Sequence, residues 1–148
     1  MSSNDFEIRL MLEEDISSVI PIENVCYPEP WSKETFLQGF NCDEYEAIVC
    51  ELNKKIIGYA IFWFGVEEVH ILNITVEPKV QKRGYGSKLL NYVLDYCSKE
   101  KYPRVLLEVR TKNIPAIALY KSKGFAQIGV RLGYYSNGDD ALVMELCR

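Results

Sequence analysis

The sequence holds one histidine, His70, and no C-x-x-C pair among its five cysteines, Cys26, Cys42, Cys50, Cys97 and Cys147. A zinc site needs four such ligands close together, so no structural metal is expected. The thiols are odd in number and read as small, buried, reduced hydrophobic side chains. No apolar run approaches the roughly 18 residues that cross a bilayer. The start, Met1-Ser2-Ser3-Asn4-Asp5, has neither the positive nor the apolar stretch of a secretion signal. These absences point to a cytosolic protein without membrane association. Repeats, low-complexity tracts and linkers are missing too, so the 148 residues are expected to form one domain, 1–148.

Hydrophobic residues make up 48% of the chain, enough to bury a core without metals or disulfides. The net charge of −4 is unevenly spread: residues 1–70 carry fourteen acids and four bases, residues 71–148 seven acids and thirteen bases. Such asymmetry fits either two surfaces with different partners, the second half suited to an anion, or ordinary solvated faces.

Phe6 to Leu10 alternates apolar and polar and predicts a strand. Glu13-Glu14-Asp15 opens a helix with acids near its positive end, and Ile16, Val19, Ile20 and Val25 give it an apolar stripe. Pro28 and Pro30 end it, and Ser32 caps a second short helix. Strands follow over 45–51, 55–64 and 68–76, with a turn near Gly65. Leu89, Leu90, Val93, Leu94 and Cys97 recur at helical spacing after a glycine turn. A strand over 104–110 buries Val105, Leu107 and Val109. Asn113 caps a last helix, which Gly124 ends. Two strands, about 125–135 and 140–147, flank the turn Ser136-Asn137-Gly138-Asp139. The order βααβββαβαββ predicts an α/β fold with a mixed, mostly antiparallel seven-stranded sheet and four flanking helices.

The segment from Glu77 to Lys88 carries the strongest chemical signal. Gly84 and Gly86 let the backbone turn sharply into a helix. The first amides of that helix lack internal partners and sit at its positive end, an arrangement that cradles phosphate. Lys79, Lys82, Arg83 and Lys88 add positive charge. The spacing matches neither a Walker loop nor the dinucleotide fingerprint, since Leu89 stands where the latter needs its last glycine. On spacing alone, a purely structural strand-to-helix turn is the favoured reading.

Gln81-x-x-Gly84-x-Gly86 after an apolar strand resembles motif A of the GNAT acetyltransferases. Asn113 followed by Ala116, Leu119-Tyr120 and Gly124-Phe125 resembles their motif B, N-x-x-A-x-x-L-Y-x-x-x-G-F. The resemblance implies a GNAT fold and acetyl-CoA as co-substrate. It implies that amides of Lys82, Arg83, Gly84, Tyr85, Gly86 and Ser87 hold the pyrophosphate. Ile74, Thr75 and Val76 would pair with the pantetheine arm, and Asn113 would bond further along it. Further matches extend over most of the chain: Tyr27-Pro28-Glu29-Pro30-Trp31-Ser32, His70 to Val76, Leu107 to Arg110, and Arg131, Tyr134, Tyr135 and Asp140-Ala141. They resemble bacterial ribosomal-protein-alanine N-acetyltransferases, the RimI type. That likeness implies the N-terminus of a small-subunit ribosomal protein as acceptor, with no direct nucleic-acid binding. Trp31, Arg131, Tyr134 and Tyr135 would line the peptide groove.

The chemistry is attack of a free amine on a thioester. An α-amino group with a pKa of about 7.7–8.0 must lose a proton, which suits a carboxylate of raised pKa. By resemblance Glu108 is the general base and Tyr120 the general acid. From the residues alone Glu68 and His70 remain rival bases, and a surface Glu108 paired with Arg110 remains the structural alternative. A small-molecule acetyltransferase of the same fold and a non-catalytic acetyl-CoA-binding module are the competing functions.

Overall fold

The computed structural model describes residues 5–147, so the reading of the chain start at 1–4 lies outside the described residues. Strand β1 (Phe6–Leu10) leads through a 3-10 turn at Glu13–Asp15 into α1 (Ile16–Cys26) and α2 (Lys33–Phe40). Strands β2 (Tyr45–Leu52), β3 (Lys55–Phe64) and β4 (Glu68–Val76) form an antiparallel meander. Then come α3 (Tyr85–Lys99), β5 (Arg104–Arg110), α4 (Ile114–Ser122), β6 (Ala126–Arg131) and β7 (Ala141–Cys147). The strands make one seven-stranded sheet in the order β1-β2-β3-β4-β5-β7-β6, and only the β4–β5 pair is parallel. This is the α/β architecture that the element order predicts, a mixed, mostly antiparallel seven-stranded sheet with flanking helices.

Alternation along the strands builds two cores, one on each side of the sheet. On one side Leu89, Leu90 and Val93 of α3 pack with Val105, Leu107 and Met144. On the other, Ile16, Val19 and Ile22 of α1 and Phe36 of α2 pack with Val49, Tyr59 and Ile61. The Ser32 hydroxyl accepts the Thr35 amide, which fixes the start of α2 as expected.

Four local expectations need correction. The buried stripe of α1 is Ile16, Val19, Ile22 and Glu23, while Ile20 is half-buried and Val25 is exposed. The penultimate strand stops at Arg131 and not near 135. Gly133 takes a left-handed φ of 60° there, which breaks the extended run and frees Tyr134 and Tyr135 for a loop. The Ser136–Asp139 turn is the tip of that longer connection, closed by the Gly138 amide on the Tyr135 carbonyl. Of the cysteines only Cys50 and Cys97 are buried; Cys26 and Cys42 are half-buried and Cys147 is exposed.

The sheet opens at one place. β4 and β5 pair from Glu68–Arg104 to Ile71–Leu107 and then part. At the same level β4 carries a bulge: Asn73 opposes Ile61 and Ile71 opposes Phe62, leaving Leu72 extra. Beyond it, β4 holds tightly to β3. A Cβ added at Gly58 would lie 2.8 Å from the Thr75 carbonyl oxygen and 3.0 Å from the Cys50 sulfur. Gly58→Ala is therefore expected to cost about 2 kcal/mol through overpacking. It should lower Tm by about 4–8 °C in scanning calorimetry, and an unchanged Tm would mean that β3 and β4 yield at this point.

Candidate active site

Two grooves meet in the cleft where β4 and β5 separate. The first, of 740 Å³, runs along Ile74, Thr75 and Val76 to the turn at Lys82–Ser87. Its charged lining residues are Lys82, Arg110 and Lys112, and none is acidic. The second, of 600 Å³, lies between the α1–α2 loop, β5 and the β6–β7 loop. Its charged lining residues are Glu23, Glu29 and Glu108, against Arg110 alone. Tyr27, Ile74, Asn113 and Tyr120 line both. An anion-attracting groove thus joins a cation-attracting one at the Tyr120 side chain.

The first groove ends at an uncapped helix. α2 and α4 have side-chain caps, from Ser32 and Asn113, but no side chain bonds the amides at the start of α3. Its first amides have no internal partners and sit at the positive end of the helix dipole. Gly84 precedes them with φ of 89°, a conformation that other residues rarely adopt, and the space where its side chain would project is open. Lys82 is also left-handed, at φ of 64°. These features fit a diphosphate. Arg83 is exposed and does not line the groove, so its expected part reduces to its amide. Asn113 lines the groove, and its Oδ1 already accepts the Ala116 amide as the α4 cap.

At the junction Tyr120 is almost fully buried, edge-on to Phe125, and burial pushes its hydroxyl up to about 12. Glu108 projects from the open face of β5. Its Oε1 lies 2.7 Å from His70 Nε2, and Arg131 Nε lies 3.8 Å from Oε2. The His70 hydrogen bond holds the Glu108 carboxyl below its ordinary value, against the opposite pull of burial. A raised carboxyl, expected from the chemistry alone, is thus not found. Nor is the Glu108–Arg110 pair. Arg110 instead bonds Asp139 at 2.8 Å and Glu29 at 3.4 Å and stacks on the Tyr135 ring at 3.8 Å. Glu68 is at the far end of β4, 4.0 Å from Arg104, and lines neither groove.

Trp31, Tyr134 and Tyr135 line the second groove. Arg131 is at its edge, over the Tyr134 ring and beside Glu108. Sequence reasoning missed Glu23, and it gave no separate part to Tyr27, whose hydroxyl is 2.6 Å from Thr75 Oγ1. A charged residue on the apolar face of α1, seven after Ile16, was the available signal for Glu23. Among the described residues no group of three or more His, Cys, Asp or Glu is placed to hold a metal ion. No helix among them is long and apolar enough to cross a membrane.

Residues 16–125 match the model of the acetyltransferase (GNAT) family. The chain belongs to the GNAT acetyltransferase family. Its GNAT relatives include the [ribosomal protein bS18]-alanine N-acetyltransferase of Escherichia coli (strain K12), 34% identical over 89% of this chain and 90% of that protein. An N-alpha-acetyltransferase of Sulfurisphaera tokodaii is 33% identical over 95% and 92% of the two chains. The crystal structure of the Escherichia coli ribosomal-protein-S18-alanine N-acetyltransferase superposes with a TM-score of 0.89 at 32% identity, covering 96% of this chain and 93% of that one. As a GNAT enzyme the protein is an acetyl-CoA-dependent acetyltransferase. The basic groove and the uncapped α3 suit the diphosphate of that co-substrate.

The His70–Glu108 bond makes a pH prediction. Folding favours the charged form of Glu108, so its contribution to stability is complete above about pH 4.5 and fades as pH falls through its lower folded value. His70→Ala removes the main cause and leaves burial, so the Glu108 titration should move up and the acid-side loss of stability should shrink. Carbon NMR of the glutamate carboxyls reads this directly. An unmoved titration would assign the lowering to Arg131.

Proposed function

We propose that this protein transfers the acetyl group of acetyl-CoA to the N-terminal alanine of a small-subunit ribosomal protein, bS18 by analogy with its relatives, in the cytoplasm. Its 148 residues would act as one catalytic domain. The observation that carries the reading is the meeting of a cationic groove and an acidic groove at Tyr120. A protonated amine is drawn to Glu29 and Glu108, and the diphosphate of acetyl-CoA to Lys82 and the amides of Lys82 to Ser87. Ile74, Thr75 and Val76 offer the free edge of β4 to the pantetheine arm, with Asn113 across from them. The aromatic rings of Trp31, Tyr134 and Tyr135 give an extended peptide a wall to lie on, with Arg131 at its rim.

Glu108, charged and beside His70, takes the proton from the incoming ammonium, directly or through water. The freed nitrogen attacks the thioester carbonyl, with the developing oxyanion met by a backbone amide, that of Val76. The carbon–sulfur bond breaks as the carbon–nitrogen bond becomes an amide. Tyr120, kept neutral by burial, donates its hydroxyl proton toward the departing sulfur. Two protons leave the nitrogen: the first passes through Glu108 to solvent, and the second, lost as the amide forms, replaces the one that Tyr120 gives to sulfur, so coenzyme A departs as the thiol. The relatives' activities and the walled, aromatic shape of the acidic groove favour a peptide over a polyamine.

Incubation with acetyl-CoA and an alanine-starting basic peptide, followed by mass measurement, tests the proposal. Acetylated peptide with untouched spermidine is expected; the reverse would make the enzyme a small-molecule acetyltransferase. Tyr120→Phe should lower kcat by about 10²–10⁴ while coenzyme A still binds in calorimetry. Glu108→Gln should fall within the same range, with its loss greatest below pH 8, where the amine is protonated. Near-normal turnover in either variant would remove that residue from the proton path.

A further inference from the structure

Glu23 is 1% exposed, lies on the apolar face of α1, and has no ion-pairing cation among the described residues. A charge buried this way is costly unless each lone pair is met by a donor. Its two oxygens are met from different sides. Oε2 accepts the Trp31 amide at 2.9 Å, from the loop that walls the acidic groove. Oε1 accepts the Tyr59 hydroxyl at 2.6 Å and Asn73 Nδ2 at 2.9 Å, from β3 and β4. The chain of bonds continues along β4. Asn73 Oδ1 accepts the Thr75 hydroxyl at 2.6 Å, and Thr75 Oγ1 takes the Tyr27 hydroxyl, also at 2.6 Å. Every donor in this network points toward the carboxylate, so it has no place for an added N–H.

We infer that Glu23 is a positioning residue whose carboxylate locks the Trp31 wall of the acceptor groove to the β4 strand that carries the acetyl donor. The inference rests on the acetyl-transfer reading above. Trp31 lines the acceptor groove, Thr75 lines the donor groove, and Asn73 sits in β4 beside the Leu72 bulge. A single carboxylate therefore sets the distance between the two walls that the reaction must align. An apolar residue of similar size would fill the space, but it would leave the Trp31 amide and the Asn73 amide without acceptors.

Glu23→Gln tests this while keeping shape. Its amide nitrogen must face either the Trp31 N–H or the Tyr59 and Asn73 donors, so one wall is released. The KM for the acceptor peptide should rise by about ten-fold or more, while the Kd for coenzyme A stays within about two-fold. Tyr59→Phe is the control. It removes one donor from Oε1 and leaves the Trp31 tie, so it should lower Tm yet leave the acceptor KM within about two-fold. An unchanged acceptor KM in Glu23→Gln overturns the inference. So does a matching rise in the coenzyme A Kd, or a Tyr59→Phe variant with the same acceptor defect. If Glu23→Gln does not fold, or if the wild-type enzyme acetylates no peptide and the acceptor reading itself fails, amide hydrogen exchange in the wild-type protein decides. Strong protection at Trp31 supports the lock, and exchange at an open-loop rate overturns it.

Discussion

The parting of β4 from β5 is the constraint on which the other features depend. A parallel pair that stayed zipped would bury both strands and leave no room for a substrate. Here the pairing stops at Ile71 and Leu107, and the extra Leu72 turns the end of β4 away while β3 keeps hold of it. β5 meanwhile continues to pair with β7 to its last residue, Arg110. Each strand therefore remains anchored on its outer edge, and the gap between them is held rigidly open. The end of β4 feeds the turn into α3, and the end of β5 feeds α4, so both helix starts arrive beside the gap.

The division of charge follows from that geometry. Residues on the two sides of the gap come from different parts of the chain. Helix α1, the loop after it and β5 contribute acids; the β4–α3 turn and the β5–α4 connection contribute lysines and amides. The imbalance between the two halves of the sequence, fourteen acids over four bases and then seven over thirteen, becomes an imbalance across a few ångströms. Arg110 is the one cation shared by both grooves, and its contacts with Glu29, Asp139 and the Tyr135 ring hold the roof loops in place. Its part is to brace the two loops, which its spacing from Glu108 in the sequence did not suggest.

Most of the fold was legible because local rules and tertiary packing agree. β1, β4 and β5 begin and end where alternation does, β3 spans its apolar run, and the helix caps at Ser32 and Asn113 act as their residue types imply. The misreadings share one cause. Apolar character marks burial or extension only where no other force decides. Leu132 to Tyr135 looks like strand, but the left-handed Gly133 ends the ladder. Val25 looks like core, but the stripe of α1 turns through Ile22 to the charged Glu23. For the site, the motifs gave the residues and not their partners. His70 pairs with Leu106, two residues from Glu108 on the same face of β5, and only the β4–β5 alignment brings the ring to the carboxylate. Neighbours across strands are not written in spacing along one strand.

The environments of Glu108 and Tyr120 are pushed in opposite senses. The histidine bond favours a charged carboxylate, whereas burial favours a neutral phenol. On the proposed reading this pair starts each cycle with a vacant proton site near the amine and a filled one near the sulfur. A phenol pushed up to about 12 does not hand its proton to a free thiolate of lower pKa without cost. Its donation is favourable only while the carbon–sulfur bond is breaking and the nitrogen is still giving up charge. On that reading burial of Tyr120 couples the two proton movements, and the proposed acid works best when the proposed base has already accepted. That coupling needs the donor and acceptor walls at a fixed separation, which the buried Glu23 carboxylate is placed to maintain.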